Sequence, residues 1–528
     1  MRRGILFALL TIGIAVSLPS GAAPLVRAQV EQGKVAGSVH GDVAAFLGIP
    51  YAAPPVGQLR WRAPQPAAAW KGERQANAYG ANCEQIITPN GHGPWTWEYS
   101  AQGKVSEDCL FVNVWTPAKS TKDKLPVLFW IHGGGYFEGS SSAAIYDGEN
   151  FARKGIIVVS LNYRLGALGF LAHPALSAES AHRVSGNYGV LDTIAALKWV
   201  KKNIAAFGGD PKRVTIYGQS AGAGMVVTLT FVPEAKGLFH GAIAQSGVGA
   251  VFPMQTMKQA EEKGVEFAKA KGASTLAQLR ALPAEELLKM PEEAGGSMLR
   301  VLRFMPIQDG WLLPAQPAEL TAKGRVNDTP FLTGQTANES SAMAPKWGDL
   351  TPLECNAAFA RMGGAMADKF KAAYLKPGEN CNTGVAQLQT DRGLFSAHQW
   401  VASRLKAAKG PVYMYLYTHL EPGSDAARYG VFHSSDIAYV FGTLGKTPER
   451  PFADEDRAIS DKISNYWVNF VKTGNPNGPG LPEWPAANPA KPMLMQTGDA
   501  FQARAPMSPE RRALMEEYIR QGGTVGMF

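Results

Sequence analysis

A serine stands between two closely spaced glycines in Val214-Thr-Ile-Tyr-Gly-Gln-Ser-Ala-Gly222, directly after an apolar, β-branched run and before a segment able to form a helix. A sharp strand-to-helix turn at that point forces Ser220 into an exposed, strained position, and Gly218 and Gly222 let the neighbouring backbone pass close by. G-x-S-x-G alone is a cheap pattern, so the strand-turn-helix placement carries its meaning. A serine hydroxyl is a poor nucleophile. It needs a base, an acid to orient that base, and N–H donors for the oxyanion formed on attack at a carbonyl.

On such a turn the partners follow in the order serine, acid, histidine. That order excludes every histidine before Ser220 and leaves His240, His398, His419 and His433. His240 leaves no slot for an acid, and His398 falls on a predicted helix. His433, in the loop Gly430-Val-Phe-His-Ser-Ser-Asp436, is preferred because loops commonly carry catalytic groups; His419, after a predicted strand, is the runner-up. For the acid, Pro330-Phe-Leu-Thr-Gly-Gln-Thr-Ala-Asn-Glu339 puts Glu339 a few residues beyond an apolar strand, where α/β sheets place site residues. Asn338-Glu-Ser340 also matches an N-glycosylation pattern, but a sugar would obstruct a buried acid there. Oxyanion donors come from His132-Gly-Gly-Gly135, immediately after another apolar run, with the Ala221 N–H completing the set. Two such motifs in this order predict acyl transfer, which requires no metal or organic cofactor.

The elements that must hold these groups are short apolar runs alternating with helical stretches, the pattern of a mostly parallel sheet covered by helices on both faces. Strands are predicted at 125–131, 156–161, 214–218, 242–245, 330–333 and 412–417. Helices are predicted at 192–203, 257–271, 283–290 and 454–473, the last opening on acids and closing on a lysine and a glycine. The Pro/Gly-rich stretch 474–492 reads as a surface loop, because too little chain follows it to make a domain. There is no internal repeat.

With 45% hydrophobic and 18% charged residues in 528, the chain has material for a large core. The net charge of +8 is dispersed, without the basic blocks of a nucleic-acid binder. Met1-Arg-Arg3 followed by an uncharged apolar run to residue 18 resembles a secretory leader, and the run is too short to span a bilayer. Cleavage is expected after Ala28, with Ala22 or Ala23 as the other site. Removal of residues 1–28 takes away Arg2, Arg3 and Arg27 and lowers the charge from +8 to +5. A secreted or periplasmic protein with one domain at 29–528 and no stable membrane insertion is expected. Export also permits disulfides among Cys83, Cys109, Cys355 and Cys381. Pairing 83 with 109 and 355 with 381 is one of three connectivities.

Further segments carry a resemblance. Phe46-Leu-Gly-Ile-Pro-Tyr-Ala-Ala-Pro-Pro-Val-Gly-Gln-Leu-Arg60, Ser106-Glu-Asp-Cys-Leu-Phe-Val-Asn113, Asn162-Tyr-Arg-Leu-Gly166, Gly186-Asn-Tyr-Gly-Val-Leu-Asp192 and Tyr217-Gly-Gln-Ser-Ala-Gly-Ala223 are similar to the signatures of type-B carboxylesterases, the family of cholinesterases and lipases. The likeness spans about residues 33–484. It implies an α/β-hydrolase fold with loop and helical insertions, and a serine esterase whose triad is Ser220, Glu339 and His433. It also implies oxyanion donors at Gly134, Gly135 and Ala221, a Cys83–Cys109 disulfide, structural ion pairs Arg60–Glu107 and Arg164–Asp192, and Ser246 beside the triad. Two features depart from it. Gln219 stands where cholinesterases carry Glu, which predicts a site for neutral esters. The Cys355–Cys381 loop has no counterpart in the pattern, so that bridge rests on parity and spacing. Trp95 and Trp97 fall inside the first cysteine loop, where they can line the pocket.

The expected partner is a small-molecule ester, and the oligomeric state is not legible. A non-catalytic adhesion module is the rival from another class, opposed by the intact serine, acid and histidine. An amidase, peptidase or thioesterase is the rival that shares the triad, because the triad does not encode the leaving group.

Overall fold

The computed structural model describes residues 23–248, 253–289, 304–344, 346–423 and 425–526. Its centre is an eleven-stranded sheet. Numbered along the chain within this sheet, the strands are β1 (Ser38–His40), β2 (Val43–Pro50), β3 (Phe111–Thr116), β4 (Leu125–Ile131), β5 (Ile157–Leu161), β6 (Gly209–Gln219), β7 (Gly241–Gln245), β8 (Phe331–Thr336), β9 (Val412–Tyr417), β10 (Leu494–Thr497) and β11 (Gln502–Arg504). Their spatial order is β1-β2-β3-β5-β4-β6-β7-β8-β9-β10-β11. From β5 through β10 the pairings are parallel, and both margins are antiparallel.

Parallel strands are covered on both faces, so they read as continuous apolar runs. In β4, Val127, Phe129 and Ile131 join one buried cluster while Leu128 and Trp130 join the other. The first cluster includes the helices Tyr188–Asn203 and Ala221–Leu229, and the second the helix Asp454–Thr473. A smaller apolar cluster lies under helices Pro352–Gly363, Ala367–Tyr374 and Pro509–Arg520 and the start of the long helix Cys381–Ala407. The chain steps from β4 to β5 on one side and from β6 to β7 on the other. The carboxyl ends of β4 and β6 therefore flank the crevice where such sheets bind ligands.

The predicted central strands are present with ends shifted by a few residues. The helix expected from residue 192 starts at Tyr188 instead. Asp192 lies in its second turn, fully buried against Arg164, the ion pair expected from the resemblance. The helix Asp454–Thr473 has three acids in its first turn and Gly474 as a left-handed cap at φ 76°. The helix expected at 283–290 forms as Ala284–Leu288, and residue 290 lies outside the described residues.

Both expected disulfides are present, Cys83–Cys109 with Cα atoms 4.9 Å apart and Cys355–Cys381 with 6.1 Å. Arg60 pairs with Glu107, and Arg164 forks onto Asp192 at 2.8 and 2.7 Å, both as structural links. Among the described residues no helix is long and apolar enough to cross a membrane.

The expected leader, up to residue 22, lies outside the described residues. The preferred cut after Ala28 falls inside a strand, Arg27–Val30, which pairs with Gly33–Ala36 and buries Ala28 and Val30. Alternating burial makes this strand part of the folded unit.

Candidate active site

β6 ends at Gln219, and the next residue turns the chain into the helix Ala221–Leu229. Ser220 makes that turn at φ 57° and ψ −124°, a conformation that costs energy for any residue with a Cβ. Its N–H is anchored to Gln245 O of the neighbouring strand at 2.9 Å. The flanking glycines are there for contact: a Cβ on Gly218 would stand 2.3 Å from Gly222 O, and one on Gly222 would stand 2.1 Å from Ile131 O. The turn is thus pressed against itself and against the end of β4.

After β4 the chain runs through His132 and the glycine run. Gly134 and Gly135 take φ of 97° and 59°. Their turn closes through Phe137 N–H and Glu138 N–H, each donating to Gly134 O at 3.0 Å. His132 is buried, stacked on Tyr163 at 4.5 Å, and burial lowers it to about 4, so it is a neutral packing group. Among the described residues the N–H groups of Gly134, Gly135 and Ala221 donate to no protein acceptor, and all three residues line one cavity with Ser220.

Glu339 follows β8 and is buried. It accepts hydrogen bonds from Ser246 Oγ at 2.6 Å, from Thr336 N–H at 2.6 Å and from His433 Nδ1. Burial would raise this carboxyl, but the His433 charge and the three hydrogen bonds outweigh it and hold Glu339 below its ordinary value. With Nδ1–H donating a hydrogen bond to the Glu339 carboxylate, the neutral tautomer of His433 presents Nε2 as an acceptor. Gln219 Nε2 donates to that nitrogen at 3.1 Å and to Ser434 Oγ at 2.9 Å. Ser246 and Ser434 both sit at positive φ, 54° and 83°, so strained backbone gathers around the site. Asp436, three residues beyond His433, is buried and raised to about 7 by burial and by the Glu339 charge.

The acid loop and the histidine loop are joined by Asn338. Its N–H donates to Val431 O and its Oδ1 accepts from Val431 N–H, both at 2.9 Å. The apparent glycosylation asparagine is therefore a brace. Sequence reasoning missed this role, whose one signal was the position of Asn338 next to the acid.

The cavity measures about 500 Å³. Met254, Met305, Val227 and Trp400 line it, and the disulfide loop contributes Trp95 and Tyr99. Trp95 Nε1 donates to His433 O at 3.0 Å, whereas Trp97 is not a lining residue. The loop is tied down by Arg450, which donates to Glu98 at 2.7 Å and to Pro94 O at 2.9 Å. Tyr99 donates to the buried Glu421 at 3.0 Å, a carboxyl that burial pushes up to about 8. Of the other histidines His92 lines the cavity beside Trp95, while the remaining candidates for the base lie elsewhere. His398 is on the helix Cys381–Ala407, and His419, the runner-up, is held by Asp456 at 2.9 Å and Asp499 at 2.7 Å. Among the described residues no group of three His, Cys, Asp or Glu side chains is placed to hold a metal.

Strand order and the turn at Ser220 place the molecule among the α/β-hydrolases. A solved structure of a PNB esterase matches it with a TM-score of 0.78 at 33% identity, over 92% of this chain and 99% of that one. The model of the Carboxylesterase family matches residues 23–514. Relatives include Fumonisin B1 esterase of Sphingopyxis macrogoltabida, 36% identical over 493 residues (91% of this chain, 87% of that protein). Para-nitrobenzyl esterase of Bacillus subtilis is 36% identical over 469 residues (86% and 91%). The chain belongs to the carboxylesterase family, and its reaction is the hydrolysis of carboxylic esters.

Proposed function

We propose that Ser220, His433 and Glu339 carry that hydrolysis by two-step acyl transfer. His433, oriented by Glu339, takes the Ser220 proton as Oγ attacks the ester carbonyl. The N–H groups of Gly134, Gly135 and Ala221 stabilise the tetrahedral oxyanion. The alcohol leaves with the proton held by His433, and water activated by the same imidazole hydrolyses the acyl-enzyme. The observation that carries this reading is a turn, a histidine–carboxylate pair and three unused N–H groups meeting on one cavity.

Gln219 puts an amide, not a carboxylate, against His433, and the rest of the wall is largely apolar. Small neutral esters are the proposed basal substrates. Ser220→Ala should abolish hydrolysis of p-nitrophenyl butyrate while far-UV circular dichroism stays unchanged. Activity at the wild-type level in that variant refutes the proposal. Export is proposed as well, on the leader-like first residues and the two disulfides. The strand Arg27–Val30 favours a cut at Ala22 or Ala23, and the N-terminus of the exported protein tests it.

A further inference from the structure

Among the described residues Glu138 is the one acidic side chain lining the cavity, and no lysine or arginine lines it. It belongs to the same turn as the oxyanion-facing glycines. Its Cγ lies 3.0 Å from where a Cβ on Gly134 would stand. The carboxyl is half-buried and, among the described residues, makes no hydrogen bond or ion pair. The neighbouring buried phenol of Tyr146 feels its charge, and burial pushes Glu138 itself up to about 7.

Both facts need a reason. Carboxylates withdrawn from water are normally paired, because the lost hydration has to be replaced. A negative charge beside the oxyanion donors also opposes the negative charge that develops on the substrate. Every other acid around the site has a partner: Glu339 has His433, Glu98 and Glu421 have Arg450, and Asp436 has Tyr415. Among the described residues no compensating group stands beside Glu138, which lines the cavity.

We propose, building on the hydrolase reading above, that Glu138 is a specificity-determining residue that binds a positively charged nitrogen carried by the ester. A cation seated there pairs with the carboxylate and at the same time offsets the repulsion between Glu138 and the oxyanion. Because Gly134 is at once an oxyanion donor and the neighbour of Glu138, the nitrogen lies only a few bonds from the ester carbonyl. Amino or ammonium esters with a short linker are therefore favoured over their neutral isosteres.

The test compares 3-(trimethylammonio)propyl butyrate with its uncharged isostere 4,4-dimethylpentyl butyrate, at about pH 8 so that Glu138 is ionised. The ratio of the two kcat/KM values is internal to each protein sample, so partial misfolding of a variant cancels. The wild type should favour the cationic ester by roughly tenfold, the size expected of a partly desolvated charge pair. Glu138→Gln should bring the ratio to about one, and Glu138→Asp should keep part of it. A wild-type ratio near one, with both esters hydrolysed, overturns the role of Glu138 and leaves the hydrolase reading intact. A ratio unchanged in Glu138→Gln also overturns it. Turnover of p-nitrophenyl butyrate with neither of these esters hydrolysed overturns the role of Glu138, and failure on all three overturns the triad reading.

Discussion

Removing the Ser246 hydroxyl tests how Glu339 does its work. Ser246 Oγ donates to Glu339 Oε1 at 2.6 Å, one of three hydrogen bonds that keep a buried carboxylate ionised. Ser246→Ala keeps the Cβ, so the strained backbone at φ 54° is unchanged and only the hydroxyl is lost. A hydrogen bond to a charged group contributes about 1.5–3 kcal/mol. If the whole of it is felt when His433 carries the proton, kcat/KM falls roughly 10- to 100-fold, expressed in kcat. A second readout separates positioning from packing. Glu339 is held below its ordinary value of 4.5 in the folded state, so its stabilisation is present above that value and is lost as pH falls through the folded one. Loss of the Ser246 bond raises the folded value, and acid unfolding of the variant begins at a higher pH. Esterase kinetics on p-nitrophenyl butyrate and acid unfolding followed by tryptophan fluorescence measure the two. A variant with kcat/KM within about twofold of wild type and the same acid transition refutes the reasoning.

The disulfides give a contrast. Both close a sequence separation of 26 residues, so chain entropy predicts a loss of about 3.5 kcal/mol for removing either. Replacing Cys83 and Cys109 by alanine should raise KM as well as lower the urea midpoint, because that loop carries Trp95 and Tyr99 into the cavity. Replacing Cys355 and Cys381 should lower the midpoint and leave KM alone. His419 gives a pH dependence of the opposite sign to Glu339. Burial lowers it, but the bonds to Asp456 and Asp499 outweigh burial and raise it above 6.5. Its stabilisation is therefore full below 6.5 and lost as pH rises through the raised value. In urea titrations from about pH 5 to 9, the difference between wild type and His419→Gln should shrink towards the alkaline end.

The nucleophile turn and the glycine run were legible because each is a local signal: an apolar strand followed at once by residues that only a tight turn needs. The central strands were legible for the same reason, since burial on both faces leaves uninterrupted apolar runs. Marginal strands were not. Ser38–His40 and Gln502–Arg504 are short and exposed, and nothing in their composition separates them from loop. Asp192 was legible as the partner of Arg164 through the family resemblance alone, because an acid near a helix start satisfies the dipole rule as readily as an ion pair does; in the structure the approach of Arg164 decides between them. His433 and His419 differ in the same way. Each follows or faces a strand, and the choice between them depends on which carboxylate the tertiary fold delivers: Glu339 to one, Asp456 and Asp499 to the other. Glu138 carries no sequence signal, since its meaning lies in the absence of a partner among the described residues.

The hydrogen bond from Trp95 Nε1 to His433 O has a consequence for how this scaffold can change. The proposed nucleophile and acid follow strand ends fixed by the sheet, while part of the cavity wall is borrowed from a disulfide loop more than three hundred residues from His433 in sequence. Loops of that kind are where an enzyme lineage explores new substrates. Here one such residue is also a tether on His433, the proposed general base. A change at Trp95 that widens the range of accepted esters therefore loosens His433 as well, and selection for breadth at this position is paid in turnover. Variation at Ile86, Ile87 or Met305, which line the same cavity, carries no such tie and is the freer route to altered specificity.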